Sequence, residues 1–160
     1  MLIVVRHADA GLRNSWDGPD LMRPLTPLGY RQADGLVVRL EDFPLGRILS
    51  SPSTRCLQSV QPLAQDRRLP IDSVGALGVA AGPAGILALW NRFPFDALMC
   101  THGETIGRLF ARLAIGGLVT DAPPQWPKGS TWLLQRAAGA TVRARYMAPL
   151  ATDHHGRAGG

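Results

Sequence analysis

Short apolar runs, each bounded by polar or turn-forming residues, recur along the chain. Runs of this kind predict short buried strands. The predicted strands are residues 2–5, 47–51, 69–74, 97–101, 130–136 and 141–147. The last two flank an Ala-Ala-Gly-Ala segment, which predicts a hairpin. Residues 69–74 predict an edge strand, and a proline-rich loop is expected before the hairpin.

Amphipathic segments separate these strands. The clearest is residues 103–115, whose apolar positions keep the i, i+3, i+4, i+7 spacing of one helix face. Thr26, followed by a proline, has the residue type that caps the start of a helix. Another helix follows the Ser-Pro-Ser segment at 51–53, and Pro62 inside it is expected to kink or shorten it. Residues 85–93 predict a further helix.

The alternation of strands and helices predicts an α/β fold. We expect a three-layer αβα sandwich in which helices cover both faces of a mostly parallel central sheet. Because no internal repeat or second core pattern is present, residues 1–150 are predicted to form one domain. Residues 151–160 have no core pattern and are expected to form a flexible tail.

Charge composition indicates the kind of partner. Lysine and arginine outnumber aspartate and glutamate by 17 to 12, which gives a net charge of +5 at pH 7. A basic excess favours anionic partners, but by itself it does not choose between nucleic acid and a phosphorylated ligand. The basic residues are scattered and form no aromatic-basic stripe. We therefore expect no nucleic-acid partner.

Three features bear on the compartment. The apolar run at residues 2–5 is short for a secretory signal and lacks a charged lead. The longest uncharged stretch, residues 74–90, is interrupted by glycines and a proline, and a membrane span needs ~20 apolar residues. Cys56 and Cys100 are too few for a disulfide framework and are expected in the core. We therefore expect a cytoplasmic protein with no membrane partner.

Three predicted parallel strands end in residues that bind anions or protons. The first strand ends at Arg6 and His7, the second leads into Arg55, and the fourth is followed by His102. In open α/β sheets, ligands bind outside the carboxyl ends of the strands. Two arginines and two histidines gathered there would form a positive pocket. The planar fork of arginine matches phosphoryl oxygens, so a phosphoryl group is the expected occupant.

Four segments carry these residues in order: VVRHADAG, RPLTPLGYRQA, ILSSPSTRCLQSV and MCTHGETIG. Together they resemble the histidine phosphatase superfamily, also called phosphoglycerate mutase-like, over residues 2–146. The short chain is most similar to the small bacterial phosphohistidine phosphatases. The segment KGSTWLL also resembles the phosphatase-like domain attached to some Nudix hydrolases. The resemblance implies a phosphoglycerate mutase-like sandwich.

The resemblance also implies a covalent mechanism. His7 would attack phosphorus in line and carry the phosphoryl group until water releases it. Arg6, Arg55 and His102 would bind the equatorial oxygens and stabilise charge in the transition state. The two imidazoles would then face each other across the phosphoryl group. The arginine pair supplies positive charge, so no metal and no cofactor is expected.

One segment departs from the family pattern. Many members carry a glutamate or aspartate after the third strand as general acid for the leaving oxygen, whereas residues 76–82 hold no acid. Phosphohistidine phosphatases also manage without it, which favours a phosphoramidate or another activated leaving group. Alternatively, the proton comes from one of four other carboxylates, namely Asp9, Asp17, Asp20 or Glu104.

Five further residues are candidates for binding substrate. Arg13 and Asn14 follow the nucleophile in a long loop, and long loops in compact domains are often functional. The alternative for both is a plain surface loop. Glu104 begins a predicted helix, where the helix dipole alone also favours an acid. Lys128 and Ser130 precede a predicted strand, where they line the pocket mouth or form a turn.

The sequence thus favours a phosphatase that acts on a phosphoric monoester or on phosphohistidine through His7. Its partner would be a phosphorylated small molecule or a phosphohistidine protein. One alternative within the same fold is hydrolysis of a nucleotide or sugar phosphate. A degenerate phosphate-binding module is the other, but binding alone needs no nucleophile.

Overall fold

A computed structural model describes residues 1–93 and 96–152. The strands in that part of the chain are β1 (Leu2–Arg6), β2 (Arg47–Ser50), β3 (Ile71–Ser73), β4 (Ala97–Thr101), β5 (Leu118–Thr120), β6 (Thr131–Arg136) and β7 (Val142–Met147). The α-helices are α1 (Pro27–Arg39), α2 (Thr54–Arg67), α3 (Pro83–Arg92) and α4 (Gly103–Ile115). The strands form one sheet in the order β3-β2-β4-β1-β6-β7-β5.

The sheet is parallel over the half that carries the strand ends of interest. Strand β4 pairs in parallel with β1 and β2, and β2 pairs in parallel with β3. On the other side, β6 runs antiparallel to β7, as the predicted hairpin requires, and it is also antiparallel to β1. The prediction of a mostly parallel central sheet is therefore confirmed.

Helices cover both faces of this sheet, and β1 shows how the sequence sets the two layers. Leu2 and Val4 belong to the core that faces α3 and α4. Ile3 and Val5, which point the opposite way, belong to the core that faces α1 and α2. All four side chains are at most 2% exposed. A strand buried on both faces reads as a continuous apolar run, which explains the pattern of residues 2–5.

Two helix predictions have different outcomes. Thr26 caps α1 as predicted, and its Oγ1 accepts a hydrogen bond from Gly29 N at 3.1 Å. Pro62 does not shorten α2, which continues to Arg67, and the alternative outcome, a kink, stays a prediction. Val60 and Leu63 on either side of the proline are fully buried. Burial of such side chains contributes about 1.5–3 kcal/mol each, enough to offset the ~3 kcal/mol that a mid-helix proline costs.

Strand β5 lies within the segment that the sequence pattern predicts as a proline-rich loop. It has three residues and pairs in parallel with β7 at one edge of the sheet. Gly117 precedes it with φ of +94°, a backbone conformation that favours glycine. Its pairing covers the edge of β7, which the sequence analysis did not anticipate.

The first residues of the predicted tail contact α1. Thr152 N donates a hydrogen bond to Arg31 O of α1 at 3.1 Å. The rest of the predicted tail, residues 153–160, lies outside the described residues.

Over residues 1–93 and 96–152, no helix combines the length and apolar character that a membrane crossing requires.

Candidate active site

The carboxyl ends of β1, β2 and β4 lie side by side at one edge of the sheet. The register aligns Arg6 with Thr101. Backbone pairing continues past the strands, because His7 N donates to Thr101 O at 3.0 Å and Ser51 N donates to Cys100 O at 2.9 Å. Segments far apart in the sequence therefore meet at the edge where ligands bind in open α/β sheets.

The side chains of His7 and His102 meet at this edge. They are 5% and 1% exposed, and their ring centroids are 5.4 Å apart at an interplanar angle of 63°. The two imidazoles thus lie in an edge-to-face contact at one site. That a phosphoryl group fits between them stays a prediction.

The hydrogen bonding of His7 defines which nitrogen is free. Its Nδ1 lies 2.8 Å from Ala8 O, and a carbonyl oxygen only accepts, so Nδ1 carries the proton. Nε2 then holds a lone pair. Burial lowers the pKa of His7 to about 3, and the nearby positive charge of Arg55 acts in the same direction. The imidazole is therefore neutral at physiological pH, which is the nucleophilic form.

His102 is fixed by the elements around it. It caps the start of α4, and its Nε2 lies 2.9 Å from Ser51 Oγ. Its Nδ1 lies 3.4 Å from Arg55 Nη2, a contact in which the guanidinium donates and the ring nitrogen accepts. Sequence reasoning missed Ser51 as part of the site. The signal for it was a run of serines at the end of a buried strand.

Arg55 lies in the first turn of α2 and is 3% exposed. Its Nη1 donates to Asp20 O at 2.6 Å, and its Nη2 contacts Asp20 Oδ2 at 3.1 Å. Its Nε is buried without a hydrogen-bond partner in the described part of the chain. The guanidinium is thus held from its end, while one donor on its side remains unpaired.

Arg6 occupies the other side of the site, against the start of α4. Its Nη1 donates to Trp126 O at 2.6 Å, and its Nε, like that of Arg55, is buried and lacks a partner among the described residues. A Cβ at Gly103 would lie 2.9 Å from the guanidinium carbon, so only glycine lets Arg6 rest here. Burial lowers the pKa of Arg6, and the charge of Glu104 opposes that shift.

Lys128 holds the loop that follows the nucleophile. Its ammonium lies 2.9 Å from Asp9 Oδ1 and donates to Gly11 O at 3.0 Å. The other carboxylate oxygen of Asp9 accepts from Thr26 Oγ1 at 2.6 Å. The ammonium thus has two partners within the protein and supports this loop. That Lys128 also lines the pocket mouth stays a prediction.

The remaining predicted binding residues are divided between the surface and the interior. Arg13 is 72% exposed and reaches the carboxylate of Asp20 at 3.2 Å. Asn14 and Glu104 are exposed. Ser130 is only 1% exposed, and its Oγ has no hydrogen-bond partner among residues 1–93 and 96–152. Of these four, only Ser130 combines burial with an unpaired polar group.

The sequence model of the histidine phosphatase superfamily, branch 1, matches residues 2–78. An 8-oxo-(d)GTP phosphatase from Mycolicibacterium smegmatis is 32% identical over 154 residues, which are 92% of this chain and 48% of that protein. The chain belongs to the histidine phosphatase superfamily. It spans about half the length of this curated relative.

Solved phosphatase structures share the fold. The protein histidine phosphatase SixA complexed with tungstate superposes with a TM-score of 0.68 at 21% identity, covering 94% of this chain and 96% of that one. A mycobacterial glucosyl-3-phosphoglycerate phosphatase complexed with VO3 also gives 0.68, at 16% identity and 94% and 99% coverage. At this identity the likeness concerns the fold, and it confirms the predicted phosphoglycerate mutase-like sandwich.

The segment that lacks the histidine phosphatase acid is tied to β4 and α4. Thr101 Oγ1 donates to Leu77 O at 2.6 Å, and Thr105 Oγ1 donates to Gly78 O at 3.2 Å. Leu77 is fully buried. These contacts hold residues 76–82 near His102, and none of those residues has a carboxyl group.

Two of the four alternative acids have partners that keep them ionised. Burial alone would raise the pKa of Asp9, but hydrogen bonds from Thr26 and Lys128 outweigh it, so the pKa lies below its ordinary value. The pKa of Asp20 is lowered too, because the hydrogen bond from Arg23 and the charge of Arg55 outweigh burial. An ionised carboxylate has no proton to give at neutral pH. Asp17 and Glu104 are exposed.

The two cysteines lie in the core, as predicted. Cys56 and Cys100 are fully buried in the layer that faces α1 and α2. Cys56 Sγ lies 3.7 Å from His102 Nε2, so this thiol forms part of the wall behind the histidine. Within the described ranges, no three His, Cys, Asp or Glu side chains are arranged to hold a metal ion.

Proposed function

We propose that this histidine phosphatase hydrolyses its substrate through a phosphohistidine formed on His7. One observation carries the proposal. His7 is buried, its Nδ1 donates to a backbone carbonyl, and its pKa is lowered to about 3, so Nε2 holds a lone pair at neutral pH. The side chains that surround it are those that would bind a phosphoryl group, namely Arg6, Arg55 and His102.

The reaction has two displacements at phosphorus. In the first, the bond from His7 Nε2 to phosphorus forms while the bond from phosphorus to the leaving group breaks, and the leaving group departs with the electron pair. In the second, the oxygen of water bonds to phosphorus while the bond from Nε2 to phosphorus breaks. The electron pair of that bond returns to Nε2, the protons of water leave with inorganic phosphate or pass to solvent, and neutral His7 is restored. Arg6 and Arg55 supply the positive charge that stabilises the phosphoryl oxygens, and the proposed mechanism uses no metal or cofactor.

The covalent step is tested by replacing the nucleophile. His7→Ala is expected to abolish turnover of p-nitrophenyl phosphate, because it removes the Nε2 lone pair that attacks phosphorus in the proposed mechanism. Rapid quench of the wild type should trap a phosphoryl adduct that acid hydrolyses and base does not. His7→Ala with most of its activity retained, or an adduct that persists in that variant, would rule out the proposed nucleophile.

The absence of an acid in residues 76–82 determines which leaving groups we expect the enzyme to accept. General acid catalysis is typically worth 10²–10⁴-fold and matters most for a poor leaving group. Without an acid, the enzyme should cleave phosphohistidine and aryl phosphates faster than alkyl phosphates by about this range. A plot of log kcat/KM against leaving-group pKa should fall steeply. A flat plot would mean that an acid is present, and Glu104→Gln and Asp17→Asn would identify it.

A nucleoside phosphate is a second candidate substrate. The observation that favours it is the activity named for the relative, an 8-oxo-(d)GTP phosphatase that is 32% identical over 92% of this chain. The anhydride bond of a nucleoside triphosphate also has a good leaving group, so it agrees with the missing acid. Values of kcat/KM for guanosine triphosphates, with and without the 8-oxo group, and for a phosphohistidine protein would separate the two candidates.

A further inference from the structure

Asp20 lies at the centre of an arginine cluster beside the proposed phosphoryl site. Its carboxylate contacts Arg23 Nε at 2.9 Å, Arg55 Nη2 at 3.1 Å and Arg13 Nη1 at 3.2 Å. Its backbone oxygen accepts a further hydrogen bond, at 2.6 Å, from Arg55 Nη1. Asp20 therefore holds both terminal nitrogens of Arg55.

We propose that Asp20 is a positioning residue that orients Arg55 for binding of the phosphoryl group. A guanidinium has an end edge, formed by its two terminal nitrogens, and a side edge, formed by Nε and one terminal nitrogen. Asp20 takes the end edge of Arg55. The side edge then points to the site, because Nη2 also lies 3.4 Å from His102 Nδ1 and Nε is buried without a partner among the described residues.

The energetics give Asp20 a reason to be charged. Arg55 is 3% exposed, and a buried cation is costly unless it is paired and hydrogen-bonded. The hydrogen bond from Arg23 and the charge of Arg55 lower the pKa of Asp20 despite its burial, so it is a carboxylate at neutral pH. Asp20, one of the acids that the sequence offers as a proton donor, is here an anchor for a cation.

The geometry also distinguishes a positioning role of Asp20 from an inhibitory one. A carboxylate that blocked the site would occupy the donors meant for phosphate and would have to leave before substrate bound. Asp20 occupies the end edge and leaves Nε unpaired, so Asp20 does not take the donor of Arg55 that we propose for a phosphoryl oxygen. The inference rests on the proposed function, in which Arg55 binds the phosphoryl group.

Asp20→Ala is the direct test, with p-nitrophenyl phosphate as substrate. Loss of the partner that orients a metal ligand typically costs 10–100-fold, and by analogy we expect kcat/KM to fall by roughly this factor. Inhibition by vanadate should weaken similarly, since vanadate takes the shape of the transition state. Asp20→Asn should recover part of the loss, because its amide oxygen still accepts from Arg55, and it serves as the second variant if the alanine protein does not fold.

A matched control is Asp72→Ala. It removes the Asp72 Oδ2 to Arg47 Nε contact of 2.6 Å between β3 and β2, another arginine–carboxylate pair, and one that does not involve Arg55. This variant should keep the wild-type kcat/KM.

A double-mutant cycle shows whether Asp20 acts through Arg55. In the Arg55→Ala background, Asp20→Ala should have little further effect on kcat/KM, since the group it positions is absent. An undiminished effect there, or an Asp20→Ala variant as active as the wild type, would overturn the inference while an inactive His7→Ala kept the proposed function. An active His7→Ala would overturn both.

Discussion

Two arginines approach the same carboxylate from different environments. Arg55 and Arg13 lie 3.1 Å and 3.2 Å from Asp20 Oδ2, but their side chains are 4% and 72% exposed. The distances are nearly equal, whereas the solvent screening is not. An exposed pair is typically worth 0–1 kcal/mol, while a buried charge that loses its partner is strongly destabilised. Distance alone therefore does not rank the energetic importance of these two arginines. Burial does, because Arg55 lies in the buried part of the site and Arg13 lies at its exposed edge.

The largest effect on the rate is expected for the buried arginine, Arg55. Arg55→Ala removes a buried cation that is already held in place before substrate binds, and loss of one preorganised charge donor costs about 10²–10³ in rate. Steady-state kinetics with p-nitrophenyl phosphate would measure it, and a thermal unfolding curve would show that the variant is folded. A folded variant with a rate close to that of the wild type would remove Arg55 from the proposed machinery.

Arg13→Ala is the corresponding substitution of the exposed arginine. Because solvent screens its charge, we expect at most about a fivefold loss in kcat/KM, equivalent to the ~1 kcal/mol of an exposed ion pair. High salt should reduce even that difference. A loss as large as that of Arg55→Ala would show that Arg13 binds the substrate directly, as the sequence allowed.

The smallest expected effect concerns pH and compares His7 with an exposed histidine. A histidine of ordinary pKa near 6.5 would be protonated as the pH falls below that value, and the nucleophile would be lost. The pKa of His7 is about 3, so it stays neutral between pH 4 and pH 7. The acid limb of kcat/KM should therefore follow the second ionisation of the phosphate ester.

Two aryl phosphates with different second pKa values would test this. Their acid limbs should differ by the difference between those values. A common limb near pH 6.5 that persists in His102→Gln would mean that His7 titrates in the neutral range, contrary to its burial.

The sequence and the structure agree best where the signal is local. The predicted strand at residues 97–101 and the predicted helix at 103–115 have the observed bounds of β4 and α4. Both depend on periodicity within the segment itself, because burial on two faces gives a continuous apolar run and burial on one face gives a 3.6-residue repeat. Pro62 shows the opposite case, since its local penalty is overcome by packing that the segment does not reveal.

In the candidate site, too, some features follow from local sequence patterns and others from packing between distant segments. Parallel pairing is expected from alternating strands and helices, so the sequence predicted that Arg6, His7, Arg55 and His102 gather at one edge of the sheet. Lys128 and Asp9, by contrast, are 119 positions apart and meet at 2.9 Å only because β6 pairs with β1. No repeat or spacing relates two such residues.

Local patterns of apolar and polar residues were sufficient to predict the fold class, the family and the sheet edge at which the candidate residues gather, because burial of each element shows in its own segment. The folded chain then set which side chains pair within that edge. It paired Asp20 with Arg55, Ser51 with His102 and Lys128 with Asp9. Hydrogen bonds of this kind depend on ångström-scale register between elements, and that register is set by packing across the whole sheet rather than by any one segment.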